Sequence, residues 1–596
     1  MHSQPTKKRG RKPHPIWKIL SDSGDEDMKS KLSLCKHCKE IVNHQGRCDR
    51  AIAHLLHNCD KISEDLHEAL EVAYPPKQAE SDHGSNWTID DQLEFEDLFA
   101  AFIYTNDLPF NIVNYKLIQQ VFKKVNPHVK LPSSDKLRST LLDQAYNRTK
   151  SAVINNINSS KNYFTLQNDA TEDISEKSIF NFVVSNSREN YFLKSLDASQ
   201  DSHSGEFIAN QIVSAITQDF PISERISSVI SDNTNANKAS WRILEQRNPT
   251  IMAYGCNSHN CHLLVKDISF KHARESHVLT ERFHDILVLC KDITKHFKNH
   301  RIQGFSLKRE QDLHHYPYLS LPGDTRWGSH YHCVRSVRTS FRLIQMEMIN
   351  ENYLHGANEE QRLARETLKS TLFRPHMEQE IQHCEEVLSM FTRLIERFEC
   401  NNCAVSEVVV KFQDLEDKIS DLGYLTMDDK NYIKSKIKHR REFIVRKNHK
   451  MALLLDPRYD FTNSYPVSEE TAITNLVIGY FVKVGDNSPM KSEQAMRDQY
   501  RTYIEFLSRD FTRGNIFFDT KDSLHPLDFW NHYSNLWPGL SELAIRIFSQ
   551  VCSSADVERS FSHENHIHTK ERNRLQTEKV EKLLFIKYNH SKISET

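Results

Sequence analysis

Long apolar runs are missing from this chain of 596 residues, and none approaches the ~18 that would span a bilayer. The first fifteen residues, MHSQPTKKRGRKPHP, have no apolar core of a secretory leader. A soluble, intracellular protein without membrane contact is expected. The twelve cysteines, among them Cys35, Cys38, Cys48, Cys59, Cys256 and Cys261, are too scattered for a disulfide framework, so reduced thiols or metal ligands are expected instead. No G-x-x-x-x-G-K-[ST] loop is present, which argues against a nucleotide cofactor. HENHIH, from His563, is not H-E-x-x-H because Ile567 takes the second ligand position, and a zinc protease is disfavoured. No internal repeat of roughly 20 to 50 residues is evident.

What the chain has is 38% hydrophobic and 10% aromatic residues, enough for a real core, and a length that fits about four packing units. Its net charge of −2 conceals an asymmetry. Residues 1–61 hold 13 Lys/Arg against 7 Asp/Glu, whereas residues 62–104 hold 11 Asp/Glu and a single lysine, Lys77. The basic end is the part suited to a polyanion. Its cluster Lys7-Lys8-Arg9-Gly10-Arg11-Lys12-Pro13 reads as an extended nuclear-import signal or an arm for an A·T-rich minor groove, against the plainer reading of a solvated tail.

Cys35 and Cys38 stand two residues apart, and four residues separate His54 from Cys59, which is a zinc-finger spacing. The first pair suits a tight turn with both thiolates on one ion, and the second suits one face of a short helix. Cys48 and His57 are spare candidates. The segment is too small to fold on apolar burial alone, so buried cysteines without metal are the weaker reading.

Composition divides the rest. Residues 1–15 form a basic tail, 16–73 the finger and 74–86 a linker with two prolines and no apolar period. Residues 87–158 show helical apolar spacing. Short aromatic and β-branched runs at 163–169, 179–185 and 191–196 read as strands, followed by a helix at 205–220, a strand at 225–231, a helix through Trp241 and Leu244, and a strand at 251–254. That βββαβαβ order implies an α/β layer with a mixed sheet. The chain then reads as mostly helical to its end.

Two aspartates end strands, Asp169 and Asp232, and strand ends are where open α/β sheets place reactive groups. Neighbouring carboxylates there are tolerable mainly with a divalent cation between them, although either alone could be a helix cap. Glu558 sits in a helix begun by Ser553, Ser554 and Asp556, and alone it could belong to a surface ion pair with Arg559. Cys256, His259, Cys261 and His262 could ligate a second zinc, but four ligands within seven residues suit a structural site poorly. Cys400 and Cys403 read as packing residues, and Asp456, before a proline, as a turn cap.

Taken in order, the finger ending HLLHNC, SDNTNANKAS, CNSHNCHLL, GDTRWGS, LLLDPRYDF and SSADVERSFS resemble the blocks of the hAT superfamily of DNA transposases, of hobo and Hermes layout, with a BED-type finger in front. The resemblance covers nearly the whole chain. It implies an α+β multidomain protein: an RNase H-like core in two parts, 159–262 and 539–596, interrupted by an all-α insertion at 263–538, with dimerisation helices at the C-terminus and a DNA-binding or dimerisation region at 87–158. It also implies Asp169, Asp232 and Glu558 as an acidic triad holding Mg²⁺ or Mn²⁺, and Zn²⁺ on Cys35, Cys38, His54 and Cys59. Arg326 and Trp327 would serve hairpin formation, the tryptophan as a stacking surface for a flipped base, with Cys256 and His259 near the DNA. The partners implied are double-stranded DNA (terminal inverted repeats, flanking donor DNA and target DNA) and further copies of this chain, as a dimer or larger assembly, in the nucleus. The implied activity is cut-and-paste transposition. The alternative is a host-recruited relative acting as a DNA-binding or chromatin protein, which the presence of all three carboxylates disfavours.

Overall fold

The computed structural model describes residues 14–23, 31–74, 87–271, 277–323, 328–350, 353–459, 467–484, 492–510, 524–569, 572 and 575–593. The basic cluster at 7–13, almost all of the 74–86 linker, and Arg326 with Trp327 lie outside the described residues. The chain divides into two compact units, Met1–Thr88 and Ile89–Thr596.

The first unit is built on very little. Strands β1 (Ser33–Leu34) and β2 (Ile41–Val42) pair antiparallel, Ser33 opposite Val42. A helix, Cys48–Ala53, runs on into a π-turn, His54–Asn58, and a second helix spans Glu64–Ala73. Trp17, Leu20 and Leu55 are fully buried, and His44 packs on Trp17 with ring centres 4.6 Å apart. So small a core cannot offset the entropy of ordering the chain, and it calls for a staple.

The second unit is mixed α/β and mostly helical. Its sheet contains β3 (Phe164–Glu172), β4 (Ser178–Ser185), β5 (Asn190–Asp197), β6 (Ile226–Ser231) and β7 (Met252–Gly255) in the order β5-β4-β3-β6-β7. β3, β4 and β5 form an antiparallel meander, and β6 and β7 run parallel to β3 and to each other. These are the strands expected from the aromatic and β-branched runs. Central position explains their composition: β4 and β6 are buried along nearly their whole length, so both faces are apolar or hydrogen-bonded. Phe182 is fully buried, and its truncation to alanine would cost about 3–5 kcal/mol. The helix Gly205–Ser214 crosses Asn235–Arg247 so closely that a Cβ on Gly205 would lie 2.5 Å from that of Ala239. Only glycine fits there.

The helices Ile89–Thr105 and Thr140–Ser159 share one core with this sheet and with the C-terminal helix Thr577–Ile593. β5 is an edge strand, and Asn589 of that last helix covers it: the Phe192 amide donates to Asn589 Oδ1 at 3.0 Å, and Asn589 Nδ2 donates to the Phe192 carbonyl at 2.9 Å. After β7 the chain enters a large helical body with its own core, where Phe283, Phe391, Phe412 and Trp530 are fully buried. Asp456 there does cap a turn, accepting from the Arg458 amide at 3.0 Å, and it also forms a buried ion pair with the Arg458 guanidinium at 2.8 Å. No helix among the described residues is long and apolar enough to cross a membrane.

Candidate active site and metal centre

In the first unit the donor atoms of Cys35, Cys38, His54 and Cys59 all lie within 4.8 Å of one another. Cys35 and Cys38 occupy the knuckle after β1, where the Cys35 amide donates to the Glu40 carbonyl at 2.8 Å and Lys39 takes a left-handed φ of 65°. His54 and Cys59 are five positions apart, which on a regular α-helix would aim them about 140° from each other. The π-turn corrects this, because its wider winding brings positions five apart back to one side. The sequence reading puts the pair on one face of a short helix, and the backbone achieves that only by leaving α geometry. His57 is exposed and Cys48 half-buried, and neither belongs to the group. Burial keeps the His54 imidazole below its usual pKa, hence neutral and able to donate a lone pair. Burial first, and then the Cys35 and Cys38 sulfurs, push the Cys59 thiol up to about 11. A soft divalent cation would take the protons' place, and three sulfurs with one imidazole fit Zn²⁺.

In the second unit the acidic residues come from three separate segments. Gln167 of β3 lies opposite Ile230 of β6 in a parallel pair, so continuing the register sets Asp169 beside Asp232, the first residue after β6. Asp232 is oriented from the turn that follows it: Thr234 Oγ1 donates to its Oδ1 at 3.1 Å, and Asn237 Nδ2 donates to the same oxygen. Glu558 stands in the first turn of the helix Ala555–Ile567, which lies across β3, β4 and β5. Polar groups from all three strands hold that helix, two of them buried. Gln167 Oε1 accepts from the Val557 amide at 3.1 Å while its Nε2 donates to Asp556 at 3.2 Å, Asn181 Nδ2 donates to Ser560 at 3.0 Å and to Glu564 at 3.1 Å, and Asn190 Nδ2 donates to Asp556 at 3.2 Å.

Of the three carboxylates, Asp169 lies in the field of the other two. The Asp169 carboxyl is raised to about 7, by burial first and then by the charges of Asp232 and Glu558, against the opposing hydrogen bond from the Ala170 amide at 2.8 Å. They are not gathered as tightly as the finger ligands, which are the one such close group among the described residues. Arg559 does not answer Glu558 as its ion-pair partner: it binds Asp556 at 2.5 Å and donates to the Glu399 carbonyl at 3.1 Å.

Cys256 and His259 border this cluster in different ways. Cys256 is wholly buried, and its sulfur accepts from the His259 amide at 3.5 Å and the Ser554 amide at 3.4 Å, fastening the helix Asn257–Ser269 to the start of the Glu558 helix. It is a positioning residue. His259 is half-buried, and its imidazole is kept below the usual value by burial, while Asp232 and Glu558 pull the other way. No second close metal-ligand group forms at Cys256, Cys261 and the two histidines among the described residues. The described ends of the GDTRWGS loop are anchored: Gly323 N–H donates to Ser329 Oγ at 2.8 Å, and Gly328 N–H donates to His262 Nδ1 at 3.3 Å, on the helix that carries His259.

Gln167, Asn181 and Asn190 hold the helix that carries Glu558, and sequence reasoning alone passes over them. Their signal is present, since an Asn inside the apolar run Ile179–Val184 and a Gln two positions before Asp169 need buried partners. What the sequence could not show is that those partners lie about 380 residues downstream, as in the Asn181–Ser560 pair, whose separation is 379 residues.

Two family models match the chain. One, described as a domain of unknown function (DUF659), covers residues 132–291, which include the five strands, Asp169, Asp232, Cys256 and His259. The other, described as the hAT family C-terminal dimerisation region, covers residues 503–590, which include Glu558 and most of the last helix. No curated protein matches the chain. With the Cys₃His group at the N-terminal end, which fits a BED finger, these two matches indicate that the chain belongs to the hAT family of transposases.

Proposed function

We propose that this protein is a cut-and-paste DNA transposase whose triad is Asp169, Asp232 and Glu558. The observation that carries the proposal is the meeting of these three carboxylates from two adjacent parallel strands and one helix, with Asp169 titrating in the field of the other two. The strand order β5-β4-β3-β6-β7, a three-strand meander continued by two parallel strands, supports an RNase H-like core split by the helical body. On this reading the core comprises 159–262 and 539–596, the insertion 263–538, and residues 87–158 a helical region for DNA or dimer contacts.

The donor set fits divalent magnesium or manganese. A carboxyl held up near 7 by burial and by two neighbouring charges is an arrangement that a hard cation relieves. Bound there, the ions would neutralise the scissile phosphate and favour in-line attack by an oxygen. The protein's own groups supply the rest. Asn237 and Thr234 fix the rotamer of Asp232, and Gln167, Asn181 and Cys256 fix the helix that carries Glu558. His259, neutral through burial, can take or give a proton at the same place.

Each chemical step breaks one P–O bond and forms another, so no nucleotide energy source is needed. Water nicks one strand at the element end, the freed flanking hydroxyl attacks the opposite strand to close a hairpin, and the element's 3′-hydroxyls attack target DNA. Trp327 would hold a flipped base during hairpin closure, with Arg326 beside it, and the anchoring of Gly328 to His262 puts the loop's end on the helix of His259. Cys35, Cys38, His54 and Cys59 would hold Zn²⁺ in a BED-type finger for DNA. The matched dimerisation region supports assembly with further copies of the chain, and the cluster at 7–13 fits nuclear import.

The test is Mg²⁺-dependent cleavage of duplexes carrying the element's ends. Asp169→Asn, Asp232→Asn and Glu558→Gln should each abolish cutting and leave end binding nearly unchanged. A variant that cuts at the parental rate removes that residue from the triad.

A further inference from the structure

The helix Met427–Ile444 of the helical body carries six Lys/Arg and no carboxylate between residues 430 and 441. Part of that charge is spent inside the fold. Arg440 makes hydrogen bonds of 2.7 and 2.9 Å to Asp267, Arg441 pairs with Glu416 at 3.1 Å, and Lys430 donates to the Ser420 carbonyl at 2.7 Å. Lys438 is exposed and without an ion pair among the described residues, but five positions before Phe443 it faces another side of the helix. Lys238 and Arg242 are likewise uncompensated, one turn apart on the helix Asn235–Arg247, whose N-cap Thr234 follows Asp232 by two residues.

Phe443 connects the two helices. It is 48% exposed, Lys238 Nζ stands 5.3 Å from its ring centre, and the His439 ring meets it edge-on at 5.1 Å. A single exposed phenylalanine is ordinary. One that carries an uncompensated lysine at its ring, on a helix that packs against the helix of His259, is not explained by packing. The end of this helix also reaches the acidic site electrically, since His259 lies in the fields of Asp232, Glu558 and Arg440 together. A lipid or apolar protein partner would leave those cations unpaired in the contact. A polyanion would use them, and one with flat aromatic faces would use the ring as well.

We propose that Lys238, Arg242 and Phe443 form a binding surface for an unpaired DNA strand at the rim of the acidic site, with phosphates on the cations and one base on the Phe443 ring. The strand is unpaired because a duplex keeps its base faces stacked inside, where a surface phenyl ring cannot meet them. This surface rests on the DNA-cleaving reading of the triad and extends it to the strand leading away from the cut.

The test uses the full chain and an oligothymidylate strand as probe. With Phe443 replaced by p-benzoylphenylalanine, irradiation should crosslink the strand, whereas the same group at Leu363, exposed on the helix Glu359–Leu372, should not. Phe443→Ala should weaken strand binding about tenfold and Phe443→Trp should restore it. The double variant Lys238→Ala with Arg242→Ala should flatten the salt dependence, by about 0.7 in the slope of log K against log salt for each phosphate no longer neutralised. Equal crosslinking at the two positions, stronger crosslinking to duplex than to single strand, or parental binding by Phe443→Ala would overturn the proposal. Asp232→Asn separates this from the triad assignment. If that variant still cuts DNA while position 443 crosslinks, the triad fails and the surface stands; if it is inactive and position 443 is silent, the reverse holds.

Discussion

The finger and the acidic site both bring metal-ligating side chains together, but they do so by opposite means. Four donors drawn from 25 consecutive residues close to within 4.8 Å in the finger, around a core of a few side chains. At the acidic site three carboxylates drawn from segments almost 390 residues apart are set by a five-stranded sheet and a clamped helix, and they stop short of that closeness. On the proposed reading the finger ligands are the fold's missing core, which a zinc ion would complete. The acidic site stands on a core of its own and would hold mutually repelling charges in place for a divalent ion.

The largest effect expected from this contrast is in the finger. Structural zinc in such small units is worth about 10–16 kcal/mol, far more than their apolar burial supplies. Chelation, or Cys35→Ser or His54→Ala, should release the zinc, unfold residues 16–73 and weaken DNA binding, while the melting of the second unit stays as it was. Zinc stoichiometry with hydrogen exchange would report both. Unchanged zinc content in both variants would remove the assignment, and joint melting of the two units would break the comparison.

The next effect is kinetic and concerns the loop whose ends are fixed at Ser329 and His262. Unstacking a base costs a few kcal/mol, and an aromatic side chain returns roughly 1–3 kcal/mol of it. Trp327→Ala should therefore slow hairpin formation by about one to two decades and spare first-strand nicking, because the triad is untouched. Gels resolving nicked from hairpin products separate the steps. Equal loss of both, with a lower melting temperature, would mean that Trp327 anchors the loop to the core.

The same contrast explains how much can be read from sequence. The five strands are legible because each is a short aromatic or β-branched run between polar turns, and Asp232 is legible as the residue that ends one of them, whereas Asp169, read as a strand end, stands inside a strand that runs on to Glu172. The Cys-x-x-Cys and His-x₄-Cys spacings are legible because finger ligands are local. The π-turn at His54–Asn58 is not, since periodicity carries no mark of a widened turn. Nor is the clamp of Gln167 and Asn181 on the Glu558 helix, or the shared core of the Ile89–Thr105 helix and the sheet, because nothing local records a partner hundreds of residues away.

A smaller effect should appear in the pH dependence of cleavage. On the proposed triad, cation binding needs the Asp169 carboxylate, and its carboxyl is held at about 7. At limiting Mg²⁺ the rate should fall as pH drops through this value, approaching about tenfold per pH unit below it. Raising Mg²⁺ should move the midpoint to lower pH, because the ion competes with the proton. A midpoint near the ordinary carboxylate value that ignores Mg²⁺ would place the titrating group elsewhere.

The smallest effect is on stability, and its sign sets the two regions apart. Asp169 is lifted from a reference value of 3.8 to about 7, so the folded chain binds this proton more tightly than the unfolded chain does. Its favourable contribution is complete below the unfolded value, declines as pH rises between the two, and is gone above about 7. At about pH 8 without divalent cations, Asp169→Asn should therefore melt higher than the parent, by roughly 1–3 °C for a unit of this size. The gap should shrink toward acid pH, where the parent carboxyl is protonated, and Mg²⁺ should narrow it again by stabilising the parent alone. Calorimetry at the two pH values, with and without the ion, measures all of this. Removing a ligand from the finger destabilises it, and removing one here should do the opposite. A lower melting temperature for Asp169→Asn at high pH would show that the carboxylate is already compensated by the fold, and that the acidic site, like the finger, is built around its ligands.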